Sequence, residues 1–449
     1  MPKLFGTDGV RGLANAELTP ELALALGRAA VAVLSQEGHG PPLVVVGRDP
    51  RASGVLLESA LVAGIMSAGG QALVTGVIPT PAIAYLTRHY GAAAGAMISA
   101  SHNPMPDNGI KFFGPEGFKL PDALEERIEA ALGLADQGGR RPVGHEVGGL
   151  RAAEDAGEAY IAHLLSSVRQ DLGGLEIVVD CANGAASQVA PQAYRRAGAK
   201  VTTIGAEPDG HNINDGCGST HPEHVSQAVV GSGAAGGLAH DGDADRLIAV
   251  DEHGELIDGD VILAIAALDE RERGGLPTGT VVTTVMTNLG FRLAMADRGI
   301  EVVQTAVGDR YVLETMRSGG HTVGGEQSGH IIFLERATTG DGVLTGLRLL
   351  EIMARTKLPL SELARVMRRL PQVLLNVRVR TRDRLQDAEA VWRAVGDEEA
   401  RLGERGRVLV RASGTEPLVR VMVEAETAED AHATADRLAR VVGAELGTG

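Results

Sequence analysis

Apolar and polar positions form one repeated pattern along much of the chain. Each copy has a short apolar run, a polar turn, a helical stretch that ends in small residues, and a second apolar run. This order is typical of a βαβ unit, and uninterrupted apolar strands are typical of parallel strands covered on both faces. The copies span residues 43–77, 177–204 and 281–305. The sequence therefore predicts three similar α/β domains.

The pattern changes after Leu370 and Pro371. Predicted strands at residues 373–379, 407–411 and 419–423 alternate there with predicted helices at 384–402 and 428–442. This mixture is typical of a smaller α+β domain. Because 449 residues are too many for one hydrophobic core, we expect four domains. Their predicted bounds are 1–150, 151–253, 254–368 and 369–449.

Each α/β unit continues through another helical segment into a third apolar run, and a polar loop follows that run. The loops lie at residues 99–104, 240–246 and 325–330. In parallel α/β sheets, ligands bind at the carboxyl ends of the strands. We therefore expect the three loops to meet in one cleft.

The formal charge and the cysteine content restrict the partners and the compartment. Lys and Arg number 42 and Asp and Glu number 58, so the net charge is −16, which argues against nucleic acid or an anionic membrane as the main partner. The two cysteines, Cys181 and Cys217, form no C-x-x-C pair, as expected in a reducing cytosol. The N-terminus lacks signal-peptide features, and no run approaches the roughly 20 apolar residues of a membrane span. We expect a soluble cytoplasmic protein.

Ser101 lies in the first polar loop, where an apolar run leads into turn-forming residues. His102, Asn103 and Pro104 follow it directly, and such a turn can expose the hydroxyl. Serine is a weak nucleophile that needs a base, a metal or a covalent modification. The sequence therefore indicates a nucleophile loop, and an ordinary turn-rich loop is the alternative.

The second loop places Asp241, Asp243 and Asp245 at alternate positions. Hard oxygen ligands in this number suit Mg2+, which often leaves positions for water and a phosphate oxygen. Arg246 follows directly, and a guanidinium beside a metal site is suited to a bound phosphate. A calcium-type loop or a solvated acidic loop is the alternative.

Two further loops carry groups suited to a phosphorylated sugar. Residues 326–330 offer a carboxylate, an amide, a hydroxyl and an imidazole, which suit a polyhydroxylated ligand. An ordinary loop histidine is the alternative for His330. Near the C-terminus, guanidiniums, hydroxyls and backbone donors are suited to a phosphate cradle, with a capped hairpin as the alternative. The cradle residues are Arg411, Ser413, Gly414, Thr415 and Arg420.

Five motifs, in order, resemble the α-D-phosphohexomutase superfamily. They are FGTDGVRG at residues 5–12, ISASHNPMPDNGIKFF at 98–113, DGDADR at 241–246, GGEQSGH at 324–330 and RASGTEP at 411–417. The opening motif and Gln327 resemble the corresponding residues of the branch that acts on glucosamine phosphates. The phosphomannomutase/phosphoglucomutase branch usually has another opening, and methionine in place of Gln327. Met105 departs from the superfamily, which often has an aromatic residue there.

The resemblance implies three similar mixed-sheet α/β domains and a smaller C-terminal α+β domain around one central cleft. It implies an intramolecular phosphotransferase, an isomerase that interconverts glucosamine 6-phosphate and glucosamine 1-phosphate through a phosphoserine and a hexosamine 1,6-bisphosphate. Glucose or glucosamine 1,6-bisphosphate would be the activator, and the product would lead towards UDP-N-acetylglucosamine and peptidoglycan precursors. The expected partner is a small sugar phosphate, and a homodimer is an option.

Other functions are less favoured by the same residues. A phosphoglucomutase/phosphomannomutase is the main alternative, because its mechanism and site would be the same. A metal-dependent phosphatase would not need the sugar and distal phosphate loops. A catalytically silent sugar-phosphate sensor would lack some of the reactive groups, and none of them is missing from the sequence.

The resemblance also assigns roles to individual residues. Ser101 would be phosphorylated, and its phosphate would complete the Mg2+ ligands with Asp241, Asp243 and Asp245. Lys111 would act as general acid or base, with its pKa lowered by the like charge of Arg11; a surface lysine at a strand end is the alternative. The other expected catalytic residues are His102 and His330. The expected substrate-binding residues are Arg246, Gly308, Glu326, Ser328, Arg411, Ser413, Gly414, Thr415 and Arg420.

Overall fold

The computed structural model describes residues 4–6, 8–36, 40–132, 141–380, 382–413 and 417–447. The chain forms two compact units. The first consists of Met1–Val285 and Glu301–Val366, and the second of Met286–Ile300 and Met367–Gly449. Within the described ranges, no helix combines the length and the apolar character needed to span a bilayer.

Six strands form the first sheet of the first unit: β1 (Val10–Leu13), β2 (Leu43–Arg48), β3 (Gln71–Val77), β4 (Ala94–Ile98), β5 (Asp107–Phe113) and β6 (Leu150–Ala152). Their spatial order is β1-β5-β4-β2-β3-β6. β2 is parallel to β3 and β4, whereas β5 is antiparallel to β4 and β1. Four helices accompany the sheet: α1 (Pro20–Leu34), α2 (Ala52–Ser67), α3 (Thr80–His89) and α4 (Asp122–Leu132). Apolar side chains of α1, α2, β2 and β4 share one buried core.

The second sheet repeats this plan with five strands: β7 (Glu176–Asp180), β8 (Lys200–Ile204), β9 (Gly236–His240), β10 (Leu247–Asp251) and β11 (Leu256–Ile257). Their spatial order is β11-β10-β9-β7-β8. β7 is parallel to β8 and β9, and β10 is antiparallel to β9. The helices of this region are α5 (Ala156–Ser166), α6 (Ala186–Arg196) and α7 (Glu223–Ser232).

The third sheet has four strands: β12 (Thr280–Thr284), β13 (Glu301–Thr305), β14 (Val323–Gly325) and β15 (Ile331–Phe333). Their spatial order is β13-β12-β14-β15. β12 is parallel to β13 and β14, and β15 is antiparallel to β14. The helices α8 (Gly259–Glu272), α10 (Asp309–Gly319), α11 (Gly342–Thr356) and α12 (Leu360–Ala364) complete the first unit.

The second unit contains an antiparallel sheet of β16 (Gln372–Arg378), β17 (Arg407–Ala412) and β18 (Leu418–Glu424), in the order β16-β18-β17. The helices α13 (Glu389–Leu402) and α14 (Ala428–Leu446) share a buried apolar core with it. Helix α9 (Leu289–Ala296) also belongs to this unit, because the Glu424 carboxylate accepts a hydrogen bond of 3.0 Å from the Leu289 amide.

The main elements agree with the sequence prediction. The three predicted βαβ pairs are β2 with β3, β7 with β8 and β12 with β13, and all three pairs are parallel. The antiparallel strands β5, β10 and β15 make each sheet mixed, which confirms the fold class. Helix α13 begins later than predicted, because residues Arg382–Asp387 form a 3-10 helix first.

Candidate active site

The three polar loops occupy the same place in their sheets. Each joins a parallel strand to the antiparallel strand beside it: β4 to β5, β9 to β10, and β14 to β15. The first two loops meet where the Ser101 hydroxyl donates to Asp241 Oδ2 at 2.7 Å. The second and third meet where the Leu247 amide donates to the Gly329 carbonyl at 3.0 Å. The repeated topology therefore brings all three loops to one site.

Ser101 is held in a constrained conformation at this site. Its φ angle is +53°, in the left-handed region that few non-glycine residues adopt. The Ser101 amide donates to Ser99 Oγ at 2.9 Å, and the Ser101 residue is almost wholly buried. The backbone thus directs the hydroxyl to the aspartate loop.

Arg51 holds the serine loop in place through hydrogen bonds to its backbone. The sequence analysis did not predict Arg51 as a site residue. Its fully buried guanidinium donates to the carbonyls of Ser101 (3.0 Å), Asn103 (2.8 Å) and Pro104. The Asp49 carboxylate accepts from Arg51 Nε at 2.9 Å and offsets its charge. The only signal in the sequence was a charged turn directly after the apolar run of β2.

The aspartate loop approaches the serine loop so closely that only glycine fits at position 242. A Cβ atom there would lie 2.5 Å from the Ser101 carbonyl oxygen. The same carbonyl accepts a hydrogen bond of 2.9 Å from Asn214 Nδ2. Gly242 therefore allows the direct contact between Ser101 and Asp241.

Asp241, Asp243 and Asp245 form a buried cluster in which one carboxylate oxygen from each residue lies within 4.8 Å of the other two. Burial and the carboxylates of Asp245 and Asp243 raise the pKa of Asp241 well above its usual value. Two buried oxygens, Oδ1 of Asp243 and Oδ1 of Asp245, have no hydrogen-bond partner among the described residues. A divalent cation would relieve the repulsion and satisfy these oxygens, so the three carboxylates fit a hard metal ion.

Lys111 lies on β5 with its ammonium group against the cluster. Its Nζ atom is 3.0 Å from Asp243 Oδ2 and 3.7 Å from Asp245 Oδ2. Burial lowers the pKa of Lys111, but the carboxylates of Asp243 and Asp245 outweigh it and raise the pKa above its ordinary value. The sequence analysis expected Arg11 to lower this pKa; Arg11 does lower it, but its effect is smaller than that of the two carboxylates, so the net shift is upward. Thr80, which the sequence analysis missed, donates to Asp243 Oδ2 at 2.6 Å.

His102 and Arg246 flank the nucleophile and the carboxylates. His102 Nδ1 is 3.2 Å from Ser101 Oγ, and burial together with the guanidiniums of Arg246 and Arg11 lowers the pKa of His102 to about 4. At neutral pH the imidazole is therefore uncharged. The Arg246 guanidinium lies 3.8 Å from Asp245 Oδ1, and the Arg246 amide donates to Asp241 Oδ1 at 3.2 Å.

The loop of residues 326–330 leaves polar groups without partners. Glu326 Oε1 accepts from the Gly308 amide at 3.1 Å, and His330 Nε2 accepts from the Gly340 amide at 3.2 Å. Ser328 Oγ and His330 Nδ1 are buried and have no hydrogen-bond partner among the described residues. Because buried polar groups are normally satisfied, these two atoms are suited to a polar ligand.

An ion-pair bridge beside this loop was also missed by the sequence analysis. Lys119 Nζ is 2.6 Å from Asp309 Oδ2 and 3.3 Å from Asp8 Oδ1. Asp8 Oδ2 is in turn 3.4 Å from Arg11 Nη2, and Asp309 Oδ2 is 3.7 Å from His330 Nε2. We call Asp8, Lys119 and Asp309 the lysine bridge. It connects the surroundings of Arg11 to the start of α10.

In the second unit, the predicted cradle places two arginines side by side. Arg411 on β17 lies directly opposite Arg420 on β18. Burial and the neighbouring Arg420 lower the pKa of Arg411. Like charges at opposed positions are unfavourable unless an anion offsets them, so the pair suits a phosphate. Ser413 is buried nearby in the chain, and Gly414 and Thr415 lie outside the described residues.

Comparison with known protein families defines the class of protein. Models of the phosphoglucomutase/phosphomannomutase family match the chain in order: alpha/beta/alpha domain I at residues 2–137, domain II at 158–254, domain III at 258–370 and the C-terminal domain at 374–441. A crystal structure of a member of this family from Burkholderia thailandensis has the same fold, with a TM-score of 0.82 at 24% identity over 99% of this chain and 97% of that one. The chain belongs to this family of phosphohexomutases.

Two relatives narrow the class. The chain is 58% identical to the phosphoglucosamine mutase of Acidothermus cellulolyticus over 99% of its length and 97% of that protein. It is 57% identical to the phosphoglucosamine mutase of Moorella thermoacetica over 96% of its length and 97% of that protein. Within the family, the chain is thus an enzyme of the phosphoglucosamine mutase type, an intramolecular phosphotransferase.

Proposed function

We propose that this enzyme interconverts glucosamine 6-phosphate and glucosamine 1-phosphate by moving a phosphoryl group to and from Ser101. The observation that carries the proposal is the position of Ser101 Oγ, 2.7 Å from Asp241 at the edge of three buried carboxylates. Phosphoryl transfer depends chiefly on positioning and on neutralising charge on the moving group. The relatives named above support the amino sugar as substrate.

We assign Mg2+ to Asp241, Asp243 and Asp245, with an oxygen of phosphorylated Ser101 as a further ligand. When bound, such a cation supplies positive charge that offsets the negative charge on the moving phosphoryl group. Arg246 adds a guanidinium at the same side of the cluster, 3.8 Å from Asp245. A guanidinium can bind two phosphate oxygens at once, which orients the group as well as neutralising it.

Lys111 moves the proton in this proposal. The P–O bond to Ser101 breaks, a P–O bond to the sugar hydroxyl forms, and Lys111 Nζ takes the hydroxyl proton and returns a proton to Ser101 Oγ. Its ion pair of 3.0 Å with Asp243 holds the amine at the site. Positive charge at the carboxylates would weaken their hold on the Lys111 proton, so its pKa would fall towards the range needed for proton transfer.

The remaining residues hold the substrate in either orientation. Glu326 and Ser328 bind sugar hydroxyls, and the Gly308 amide orients the Glu326 carboxylate. His102 and His330 remain the further catalytic residues of the proposal. Arg411, Ser413 and Arg420 bind the phosphate that does not react, together with the predicted members Gly414 and Thr415. The hexosamine 1,6-bisphosphate intermediate reverses its orientation in the site between the two transfers. Glucose or glucosamine 1,6-bisphosphate first transfers a phosphoryl group to Ser101. The product, formed in the cytoplasm, leads towards UDP-N-acetylglucosamine.

Comparing three substrates tests this proposal. We expect kcat/KM for glucosamine 6-phosphate to exceed that for glucose 1-phosphate and mannose 1-phosphate at least about tenfold, or about 1.4 kcal/mol. The assay uses purified enzyme with Mg2+ and a trace of glucose 1,6-bisphosphate. A preference for glucose or mannose phosphate would instead make the protein a phosphoglucomutase/phosphomannomutase.

A further inference from the structure

A separate cavity of about 230 Å³ lies at the other end of β14 from the loop of residues 326–330. Thr322 and Val323, at the start of β14, form part of its wall, and none of its lining residues belongs to the candidate active site. Four arginines also line it, so we call it the arginine cavity. They are Arg169, Arg273, Arg336 and Arg348.

Two of the four arginines form ion pairs with carboxylates, which offset their charges and hold their side chains in place. Arg348 Nη2 is 3.3 Å from Asp269 Oδ2, and Arg348 also pairs with Glu270 and Glu351. Arg273 Nη1 is 3.4 Å from both Asp269 and Glu351. A further arginine on α11, Arg355, pairs with Asp269 from outside the cavity wall. Three carboxylates thus offset three guanidiniums, which holds Arg273 and Arg348 in position.

The charges of the other two arginines, Arg169 and Arg336, are not offset by ion pairs. In the part of the chain that the structure describes, no carboxylate lies within 4.0 Å of the guanidinium of Arg169 or Arg336. Their backbones are nevertheless anchored: the Arg169 amide donates to Glu351 Oε1 at 2.8 Å, and the Arg336 carbonyl lies 3.1 Å from His163 Nε2. Glu335 is exposed and, within the described ranges, likewise has no ion-pair partner, so two unpaired guanidiniums and one unpaired carboxylate line the cavity.

We propose that the arginine cavity binds a phosphate-class dianion, either inorganic phosphate or the phosphate group of a small metabolite. Guanidinium forks match the oxygens of such an anion, and Arg273 and Arg348, whose side chains are already held in position, lose little freedom on binding. The volume is below the roughly 300 Å³ at which pockets for drug-sized ligands begin. A cation would meet the unpaired guanidiniums of Arg169 and Arg336, and an apolar ligand would leave their charges unsatisfied.

Equilibrium dialysis of the full-length enzyme against radiolabelled inorganic phosphate, with a chelator present, tests the proposal. The variant Arg169→Gln/Arg336→Gln removes the two unpaired charges. The matched control Arg195→Gln/Arg365→Gln removes two exposed arginines elsewhere on the first unit. We expect the wild type and the control to bind one more phosphate per chain than the cavity variant, with mutase activity unchanged in all three.

Equal phosphate stoichiometry in the wild type and the cavity variant would overturn the proposal, as would an equal loss in the control. The single variant Arg169→Gln, at an exposed position, should fold normally and weaken the extra binding at least fivefold. Competition with glycerol 3-phosphate identifies the source of the anion. Displacement at a similar concentration would assign a phosphomonoester, and no displacement would assign inorganic phosphate.

Discussion

The conformation of the nucleophile loop depends on one buried charge, the guanidinium of Arg51. Its guanidinium serves three loop carbonyls and the Asp49 carboxylate, and neither side chain of this ion pair has any exposed surface. Burial raises the pKa of Asp49, while Arg51 opposes that shift. Without Arg51, the carboxylate would be buried without its counter-charge and the loop carbonyls would lose their donors.

We therefore expect Arg51→Met to lower the free energy of unfolding by about 3–5 kcal/mol, the usual cost of breaking a buried ion pair. Urea denaturation at neutral pH measures this loss. Arg48→Met is the matched control, because its 3.1 Å pair with Glu58 retains some exposure and should cost less. A loss no greater than that of the control would contradict the role given to Arg51.

Single residues also show what local sequence patterns can and cannot indicate. Ser101, Lys111 and the three aspartates stand in motifs whose chemistry can be interpreted locally. Arg51 and Thr80 do not, because their importance arises from partners 50 and 163 positions away. No local pattern of turn or strand residues reports such contacts, so the supporting residues could not be predicted, whereas the groups that we propose to react could be suggested by their motifs.

At the scale of elements, the site depends on loops that belong to different sheets. The lysine bridge joins the segment before α4 to the first turn of α10, with Lys119 Nζ 2.6 Å from Asp309 Oδ2. Burial lowers the pKa of Lys119, but Asp309 and Asp8 outweigh this and raise it, so the lysine stays charged. The bridge therefore fixes the surroundings of Arg11 relative to those of His330.

A double-mutant cycle measures this positioning. Lys119→Met and Asp309→Asn should each lower kcat/KM, and the double variant should lose less than the sum. We expect a coupling energy of at least about 1 kcal/mol, as for residues in direct contact. Lys119→Arg should retain most of the activity because it keeps the charge. Additive losses would show that the two residues act independently.

Elements also show what periodicity can and cannot provide. The apolar runs and small-residue turns identified the paired strands β2 with β3, β7 with β8 and β12 with β13. Helix α9 was predicted within the third copy, and its packing in the second unit was not. The reason is that periodicity is local, whereas the contact that fixes α9 joins Leu289 to Glu424.

For the whole molecule, the proposed Mg2+ site at the buried aspartate cluster would link folding to cation binding. A ligand that binds only the folded state stabilises it, by about 2.7 kcal/mol when its concentration is one hundred times Kd. Mg2+ should therefore raise the Tm of the wild type relative to EDTA. Asp243→Asn/Asp245→Asn should abolish that increase, because it removes two of the three clustered carboxylates.

Differential scanning calorimetry in Mg2+ and in EDTA measures both Tm values. The control Asp397→Asn/Asp436→Asn makes the same change of charge at exposed positions of the second unit and should keep the full Mg2+ effect. An equal Mg2+ effect in all three proteins would mean that the cation binds elsewhere.

The central claim, that Ser101 carries the phosphoryl group, is tested most directly by labelling. The enzyme is incubated with 32P-labelled glucose 1,6-bisphosphate, separated from it, and mixed with glucosamine 6-phosphate. We predict close to one label per chain on Ser101, none on Ser101→Ala, and rapid transfer of the label to the sugar. Label on Ser101→Ala, or label on Ser101 that the sugar phosphate cannot remove, would contradict the account.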